Sequence, residues 1–294
     1  MKAVDFDYEC PSSVDAVCVR LAEAAGEAKI IAGGQTLVPL MAMRLARPAL
    51  LLDINRIAAL RGIVDAGGHV EIRAATTQAT ALGDAILRTR APLLAKALGF
   101  VGHVQTRNRG TIGGSLANAD PAAEIGLAAL ALDGAVEARA IGSTRTIPLA
   151  KFFTGPMQTE LAPEECLVAL RIPVWRDGDA VGSGFQEVSI RQSDFALAAA
   201  AVQVALDRDG TCRRIAISIG GADATPLRVR AAEDRLVGTR LDDGDIAAAS
   251  AVARETLTPL SDIHASPLYR RCVAGALVAR AIAEAKAEAM NGTP

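Results

Sequence analysis

An α+β fold in two unequal parts is predicted by three features of the sequence. Strand-like and helical runs follow one another irregularly (strand, Gly-Gly, helix, strand, hairpin, helices, loop, helix, strands), without the steady βαβ rhythm of a doubly wound sheet. A polar, turn-rich stretch, Pro173-Val174-Trp175-Arg176-Asp177-Gly178-Asp179, interrupts the chain past its middle. Beyond it stand three long strand candidates and then three helices, a meander backed by helices. At 294 residues the chain can hold two domains with cores of their own. The expected limits are 1–175, divisible into about 1–55 and 56–175, and 180–288.

The elements can be justified in order. Ser12-Ser13-Val14-Asp15 caps a helix from Val14 to Ala25, with Val14, Val17, Leu21 and Ala25 on one face and Gly26 ending it. Lys29 to Ala32 is a short strand that empties into Gly33-Gly34. Thr36 to Leu45 has helical spacing, and Pro39 falls in its tolerant first turn. Leu50 to Ile54 is an unbroken apolar run, as in a strand buried on both faces. Gly62–Val64 and His69–Arg73 form a hairpin through Ala66-Gly67-Gly68. Helices are expected at Thr77–Ile86, Pro92–Gly99 and Ala122–Leu132, and strands at Ala135–Ala140, Arg145–Pro148 and Cys166–Ile172. The second part has strands at Gly182–Arg191, Ala196–Asp207 and Cys212–Gly220, with Asp207-Arg208-Asp209-Gly210 turning between the last two. Helices follow at Ala231–Val237, Asp245–Thr256 and Pro267–Glu288. Asn291-Gly292-Thr293-Pro294 is expected to be a disordered tail, and no internal repeat is visible.

Composition removes several functions. The net charge is −2 and charged residues make up 22 %, which gives no electrostatic case for nucleic acid or an anionic membrane. The alanine-rich runs are too short to span a bilayer. Acids occupy the N-terminal stretch where a signal peptide would be apolar. Five scattered cysteines, at 10, 18, 166, 212 and 272, lack any C-x-x-C spacing. They fit reduced thiols in a cytoplasmic protein and argue against a zinc or iron–sulfur site on this chain.

The chemistry gathers in two glycine-rich stretches. Arg107 to Glu124 packs three glycines, two arginines and small polar residues into a segment with no helical or strand period. Lys29-Ile30-Ile31-Ala32-Gly33-Gly34-Gln35-Thr36-Leu37 is the other. Main-chain N–H groups in such turns form nests that suit phosphate, so two nests suggest a ligand with two phosphates. One Gly-Gly alone would be read as a turn. Arg107 and Arg109 either neutralise phosphate or form surface ion pairs. Neither a P-loop nor a Rossmann G-x-G-x-x-G is present. His69, His103 and His264 are far apart, with no catalytic triad and no metal cluster.

Those two stretches, Ala32-Gly33-Gly34-Gln35-Thr36 and Thr111-Ile112-Gly113-Gly114-Ser115, resemble the FAD-binding medium subunit of the molybdenum hydroxylases, the xanthine dehydrogenase and carbon monoxide dehydrogenase family. Asn118-Ala119-Asp120-Pro121-Ala122-Ala123-Glu124 extends the resemblance, as do Pro163 to Leu167, Gly184-Phe185-Gln186 and Arg191 to Ala196. It implies a two-part vanillyl-alcohol-oxidase-type (PCMH-like) FAD domain, then a smaller α+β domain with an antiparallel three-stranded sheet and helices. By position it also implies that Ala32–Thr36 and Thr111–Ser115 hold the FAD pyrophosphate. Lys29, Ile30 and Ile31 would lie near the adenine side, Glu124 and Asp120 at sugar or ring groups, and Leu167 and Gln186 near the flavin. Val101 and Asn118 belong to the same implied set. Asp194-Phe195 would lie beside the isoalloxazine ring, where Phe195 either shields a flavin face or simply begins a strand and packs in the core. The family often has Ser, and sometimes His, where Thr36 and Gln35 stand; with no His or Cys in either loop, noncovalent FAD is expected.

The resemblance also implies an electron-transfer oxidoreductase subunit rather than the seat of substrate chemistry. The molybdenum cofactor and the [2Fe–2S] clusters would sit on a molybdopterin large subunit and an iron–sulfur small subunit, in a heterotrimer or its dimer. The external acceptor would be NAD, a quinone or another oxidant. Two rivals stand beside this reading: a stand-alone flavin oxidase or dehydrogenase, for which Tyr8 and Tyr269 lie outside every motif, and a non-enzymatic nucleotide-binding scaffold.

Overall fold

The computed structural model describes residues 2–175, 180–259 and 261–291. Of the expected boundary, residues 176–179 lie outside the described residues, and so do residues 292–294 of the expected tail; Asn291 ends the last helix. The first part begins with a small parallel sheet in which Leu50–Asp53 lies between Asp7–Glu9 and Ala28–Ile31. The apolar run Leu50-Leu51-Leu52 is buried throughout, as a central strand requires. Helix Val14–Glu23 packs on it through Val17, Cys18 and Leu21, with the Ser13 side chain accepting from the Ala16 amide at its start.

A five-stranded antiparallel sheet forms the rest of the first part. Its order is Ile63–Asp65, His69–Arg73, Cys166–Pro173, Ala135–Ala140 and Ser143–Pro148. The strand nearest the boundary in sequence is thus central in space. Helices Pro92–Leu98 and Glu124–Ala131 cover this sheet with a core of Leu93, Leu94, Leu98, Leu127 and Phe152. The expected helix Thr77–Ile86 is two helices, Gln78–Gly83 and Ala85–Arg90. Asp84 separates them: its extended backbone stops the first, and its carboxylate accepts from the Leu87 amide to start the second.

The second part is an antiparallel sheet of Ala180–Ser189, Ala196–Leu206 and Cys212–Gly220, to which Leu227–Arg228 adds a short fourth strand. All eleven residues of Ala196–Leu206 are buried, because both of its faces are covered. Ala198, Val202 and Val204 face the core of the second part, where helix Pro267–Asn291 lies on the strand and helix Asp243–Thr256 packs on that helix, whereas Ala199, Ala201 and Ala205 join the core of the first part. Small residues let these layers close. A Cβ on Gly184 would collide with the Ala281 carbonyl oxygen of the last helix. Lys96 locks the parts together by donating to the Ser183 carbonyl at 2.6 Å and pairing with Glu284 at 2.7 Å and Glu288 at 2.6 Å.

Candidate functional site

The two glycine-rich loops come together. A Cβ on Gly33 would strike the Arg109 carbonyl oxygen, and 2.7 Å would separate it from the Gly110 Cα. Glycine at position 33 is therefore what allows the first loop to lie directly on the start of the second. The first loop follows strand Ala28–Ile31, which contains Lys29, Ile30 and Ile31, and it precedes helix Leu37–Ala42. Gly34 sits at φ +68°, a left-handed conformation that glycine reaches freely. Among the described residues, the Gly33, Gly34, Gln35 and Thr36 amides donate to no protein acceptor. The Gln35 side chain turns back to the Gly33 carbonyl at 3.1 Å, and Thr36 opens the helix without a side-chain cap. Successive amides left unpaired and half-exposed are the arrangement that, in general, suits an oxyanion.

Sequence reasoning missed what steadies this loop. The Asn55 side chain donates to the Ala32 carbonyl at 2.7 Å and to Asp53 at 2.8 Å, and the Tyr8 hydroxyl donates to the same carboxylate. Burial would raise the Asp53 carboxyl, but these bonds outweigh it and hold the group below the usual range. The available signal was Asp53-Ile54-Asn55 at a strand end, where Asx side chains bond local backbone.

The second loop is built differently, and the expectation of an aperiodic stretch is corrected. Residues 104–118 form two short helices, Val104–Arg109 and Ile112–Asn118. Thr111 caps the second, its hydroxyl accepting from the Gly114 amide at 3.0 Å, and Ala119 ends it at φ +51°. Most of this loop's amides are already used: Ile112 donates to the Thr76 carbonyl at 3.0 Å, Gly113 to the Ala74 carbonyl at 2.9 Å, and Ser115 to the Thr111 carbonyl at 3.1 Å. Among its amides, Thr111 alone donates to no acceptor among the described residues. A Cβ on Gly113 would come within 2.5 Å of the Ala74 Cβ, so this glycine serves close packing. The Arg107 guanidinium is spent on the Val101 and Gly102 carbonyls, at 2.7 and 2.6 Å, and is not free for phosphate. Arg109 is exposed, with no side-chain partner among the described residues.

The remaining predicted residues fall into three places. Val101 and Leu167 are buried, at 8 % and 5 % exposure. Asn118, Asp120 and Glu124 lead from the second loop to the second part, where the Gly221 amide donates to the Pro121 carbonyl at 2.8 Å. Burial pushes the Glu124 carboxyl up to about 7, with the Asp120 charge adding to it. Glu187, which no motif indicated, is pushed up to about 8 by burial and then by Glu124, and its Oε2 is buried without a partner among the described residues. Glu187 shares a strand face with Phe185, whose ring packs on Phe100 of the first part at 4.8 Å. Gln186 is tied to Glu284 at 2.8 Å rather than free. Asp194 caps its own turn, accepting from Arg191 and from the Phe195 amide. Phe195 is 73 % exposed, so the alternative in which it packs in the core is overturned. It adjoins Ala196, whose carbonyl lies against Gly221 and so beside the Pro121 junction.

Residues 4–175 match the family described as the FAD binding domain in molybdopterin dehydrogenase, and residues 183–285 match the CO dehydrogenase flavoprotein C-terminal domain. The chain is 39 % identical to the 6-hydroxypseudooxynicotine dehydrogenase complex subunit alpha of Paenarthrobacter nicotinovorans, over 97 % of this chain and 96 % of that protein. It is 33 % identical to the carbon monoxide dehydrogenase medium chain of Hydrogenophaga pseudoflava, over 94 % and 96 %. The solved structure of quinoline 2-oxidoreductase from Pseudomonas putida 86 superposes with a TM-score of 0.93 at 34 % identity, covering 99 % of this chain and all of that one. A two-part α+β domain joined to a helix-backed antiparallel sheet agrees with these matches: the chain belongs to the FAD-binding medium-subunit family of the molybdopterin dehydrogenases, an oxidoreductase family.

Proposed function

We propose that this chain binds FAD noncovalently and passes electrons from [2Fe–2S] clusters on a partner subunit to an external acceptor. The observation that carries the proposal is the run of unpaired amides from Gly33 to Thr36, seated on the start of the second loop. That run, with the Thr111 amide and the Ser115 hydroxyl, would hold the pyrophosphate. The neighbouring residues Lys29, Ile30 and Ile31 would line the adenine side, and Asp120 and Glu124 would meet sugar or ring groups. Val101, Asn118, Leu167 and Gln186 would complete the surround, with Asp194 and Phe195 at the flavin edge. Bound FAD supplies two-electron and one-electron redox chemistry; the chain's own task is to fix its position, exclude water from one side and set the local charge.

The assembly we propose contains an iron–sulfur small subunit and a molybdopterin large subunit, as a heterotrimer or its dimer, acting in the cytoplasm. Ile190, Phe195, Ile263 and Leu268 support a partner face here, being 58 %, 73 %, 94 % and 69 % exposed at one end of the second part. Arg270 gathers that end by donating to the Leu197 and Gly221 carbonyls at 2.6 and 2.7 Å. We also keep 1–175 and 180–288 as the domain limits. The Tyr8 hydroxyl is committed to Asp53, and that bond raises its pKa, which does not favour it as the general base of a stand-alone oxidase. No helix among the described residues is long and apolar enough to cross a membrane.

The test is the visible spectrum of the purified chain before and after acid precipitation. A flavin band that moves to the supernatant and is identified there as FAD supports the proposal. A colourless chain that takes up no added FAD rejects it.

A further inference from the structure

The amides of the first loop are aimed from behind. In a trans peptide the carbonyl and the N–H that follows it lie in one plane and point in opposite directions. Whatever holds a carbonyl therefore also directs the next amide. The Ala32 carbonyl, whose peptide carries the Gly33 N–H, accepts from the Asn55 side chain at 2.7 Å. The Gly33 carbonyl accepts from the Gln35 side chain at 3.1 Å, which directs the Gly34 N–H. The Gly34 carbonyl accepts from the Val38 amide at 3.1 Å, which directs the Gln35 N–H. Three consecutive amides that have no acceptor among the described residues are thus set by bonds to the far side of their own peptides.

Of these three bonds, the one from Asn55 comes from outside the loop and the helix that follows it. Asn55 is itself held. Its Nδ2 carries a second hydrogen, which goes to the Asp53 Oδ1 at 2.8 Å, and its main-chain amide donates to the same oxygen at 2.7 Å. The other carboxylate oxygen takes the Tyr8 hydroxyl. With an acceptor on either side, the Asn55 side chain can present only its NH2 end, because its oxygen would meet lone pairs in both places. The Ile54 amide donates to the Ile31 carbonyl at 3.2 Å, so this segment runs along the root of the loop. All three parallel strands contribute: Asp7–Glu9 supplies Tyr8, Leu50–Asp53 supplies Asp53, and Ala28–Ile31 leads into the loop.

We propose that Asn55, held by Asp53 and Tyr8, and Gln35 are positioning residues that turn the Gly33 and Gly34 amides toward the pyrophosphate, acting on the backs of their peptides. This rests on the FAD reading and adds to it residues that act through main chain. The experiment titrates the flavin-free full chain with FAD and, separately, with inorganic pyrophosphate, followed by calorimetry. Asn55→Ala should weaken both about tenfold, the worth of one hydrogen bond that orients a binding group. Asp53→Asn should stay within about twofold of the unsubstituted chain, because its amide still accepts from Asn55 and can donate to the Tyr8 oxygen. Asn55→Ala binding both probes undiminished, or losing FAD but not pyrophosphate, would overturn the inference. So would a loss with Asp53→Asn as large as that with Asn55→Ala. If Asn55→Ala does not fold, Gln35→Ala, at an exposed position, decides: a loss of about three- to tenfold on both probes supports the inference, and none overturns it. An unsubstituted chain that takes pyrophosphate but no FAD, with Asn55→Ala impaired, would remove the FAD reading and leave this one. FAD binding that Asn55→Ala does not change would do the reverse.

Discussion

The two Gly-Gly loops look alike in sequence and differ in what their backbones are free to do. Among the described residues, the first leaves four amides in a row unpaired, and its Gly33 is required for contact with the other loop. The second has spent its Ile112, Gly113, Gly114 and Ser115 amides inside the protein, and its Gly113 is required for packing on Ala74. One loop keeps hydrogen-bond capacity that a ligand could use. The other has turned most of its own inward, leaving the Thr111 amide without an acceptor among the described residues. A glycine pair marks close approach, and the neighbours decide whether a ligand or a side chain does the approaching.

Substitution of the paired glycines breaks this comparison most sharply. Gly33→Val should part the loops and lower FAD affinity by at least about 100-fold, since the added atoms meet backbone that cannot turn away. Gly113→Ala should act first on stability, costing about 1–3 kcal/mol as an overpacked contact. Flavin titration and thermal melts on both variants separate the two roles. Equal losses of stability with equal losses of FAD would mean that the loops are equivalent, and the distinction drawn above would fall.

The surroundings of the loops differ in charge as well. Behind the first, Asp53 is held ionised by Tyr8 and Asn55; beyond the second, Glu124 and Glu187 are raised from 4.5 to about 7 and about 8, burial being the main cause. The folded chain therefore binds more protons than the unfolded chain between about pH 4.5 and 8, and stability falls as pH rises through that window. Glu187→Gln should raise Tm by about 2–4 °C at pH 8.5 and leave it unchanged at pH 4. An equal shift at both pH values would show that ionisation of Glu187 is not the cause.

How much of this was legible beforehand depends on where each determinant lies. The strands and helices of both parts follow from periodicity, and Ala196–Leu206 was evident because a strand covered on both faces must be apolar throughout. The split at Asp84 was legible in principle, since an Asp after Gly is a cap signal, but continuous helical spacing masked it. The inequality of the loops was not legible. It depends on the Thr76 and Ala74 carbonyls, which are distant in sequence from the amides they accept. Arg107 and Arg109 look interchangeable in sequence, and only the fold turns one toward Val101 and leaves the other exposed. Glu187 carries no motif and becomes notable only opposite Glu124.

A smaller effect sharpens the view of the second loop as a support. Thr111→Ala removes the acceptor for the Gly114 amide and should cost about 0.5–2 kcal/mol. Thr111→Ser should restore most of it, because the capping oxygen is kept. If Thr111→Ala weakened FAD binding strongly while leaving Tm unchanged, the hydroxyl would belong to the ligand rather than to the helix.

The smallest expected effect concerns Arg109. Its carbonyl touches the first loop at Gly33 while its guanidinium stays exposed and unpaired among the described residues, so it is anchored at the seam by main chain alone. An exposed cation beside a diphosphate contributes modestly and is screened by salt, whose Debye length is about 10 Å at 0.1 M. Arg109→Ala should therefore weaken FAD binding about three- to tenfold at low ionic strength and much less at 0.5 M salt. Arg107→Ala should show no such salt dependence, because its guanidinium holds the Val101 and Gly102 carbonyls; its cost should appear in Tm. If Arg109→Ala leaves FAD affinity unchanged at every salt concentration, the pyrophosphate is held by main-chain and hydroxyl dipoles without help from the Arg109 charge.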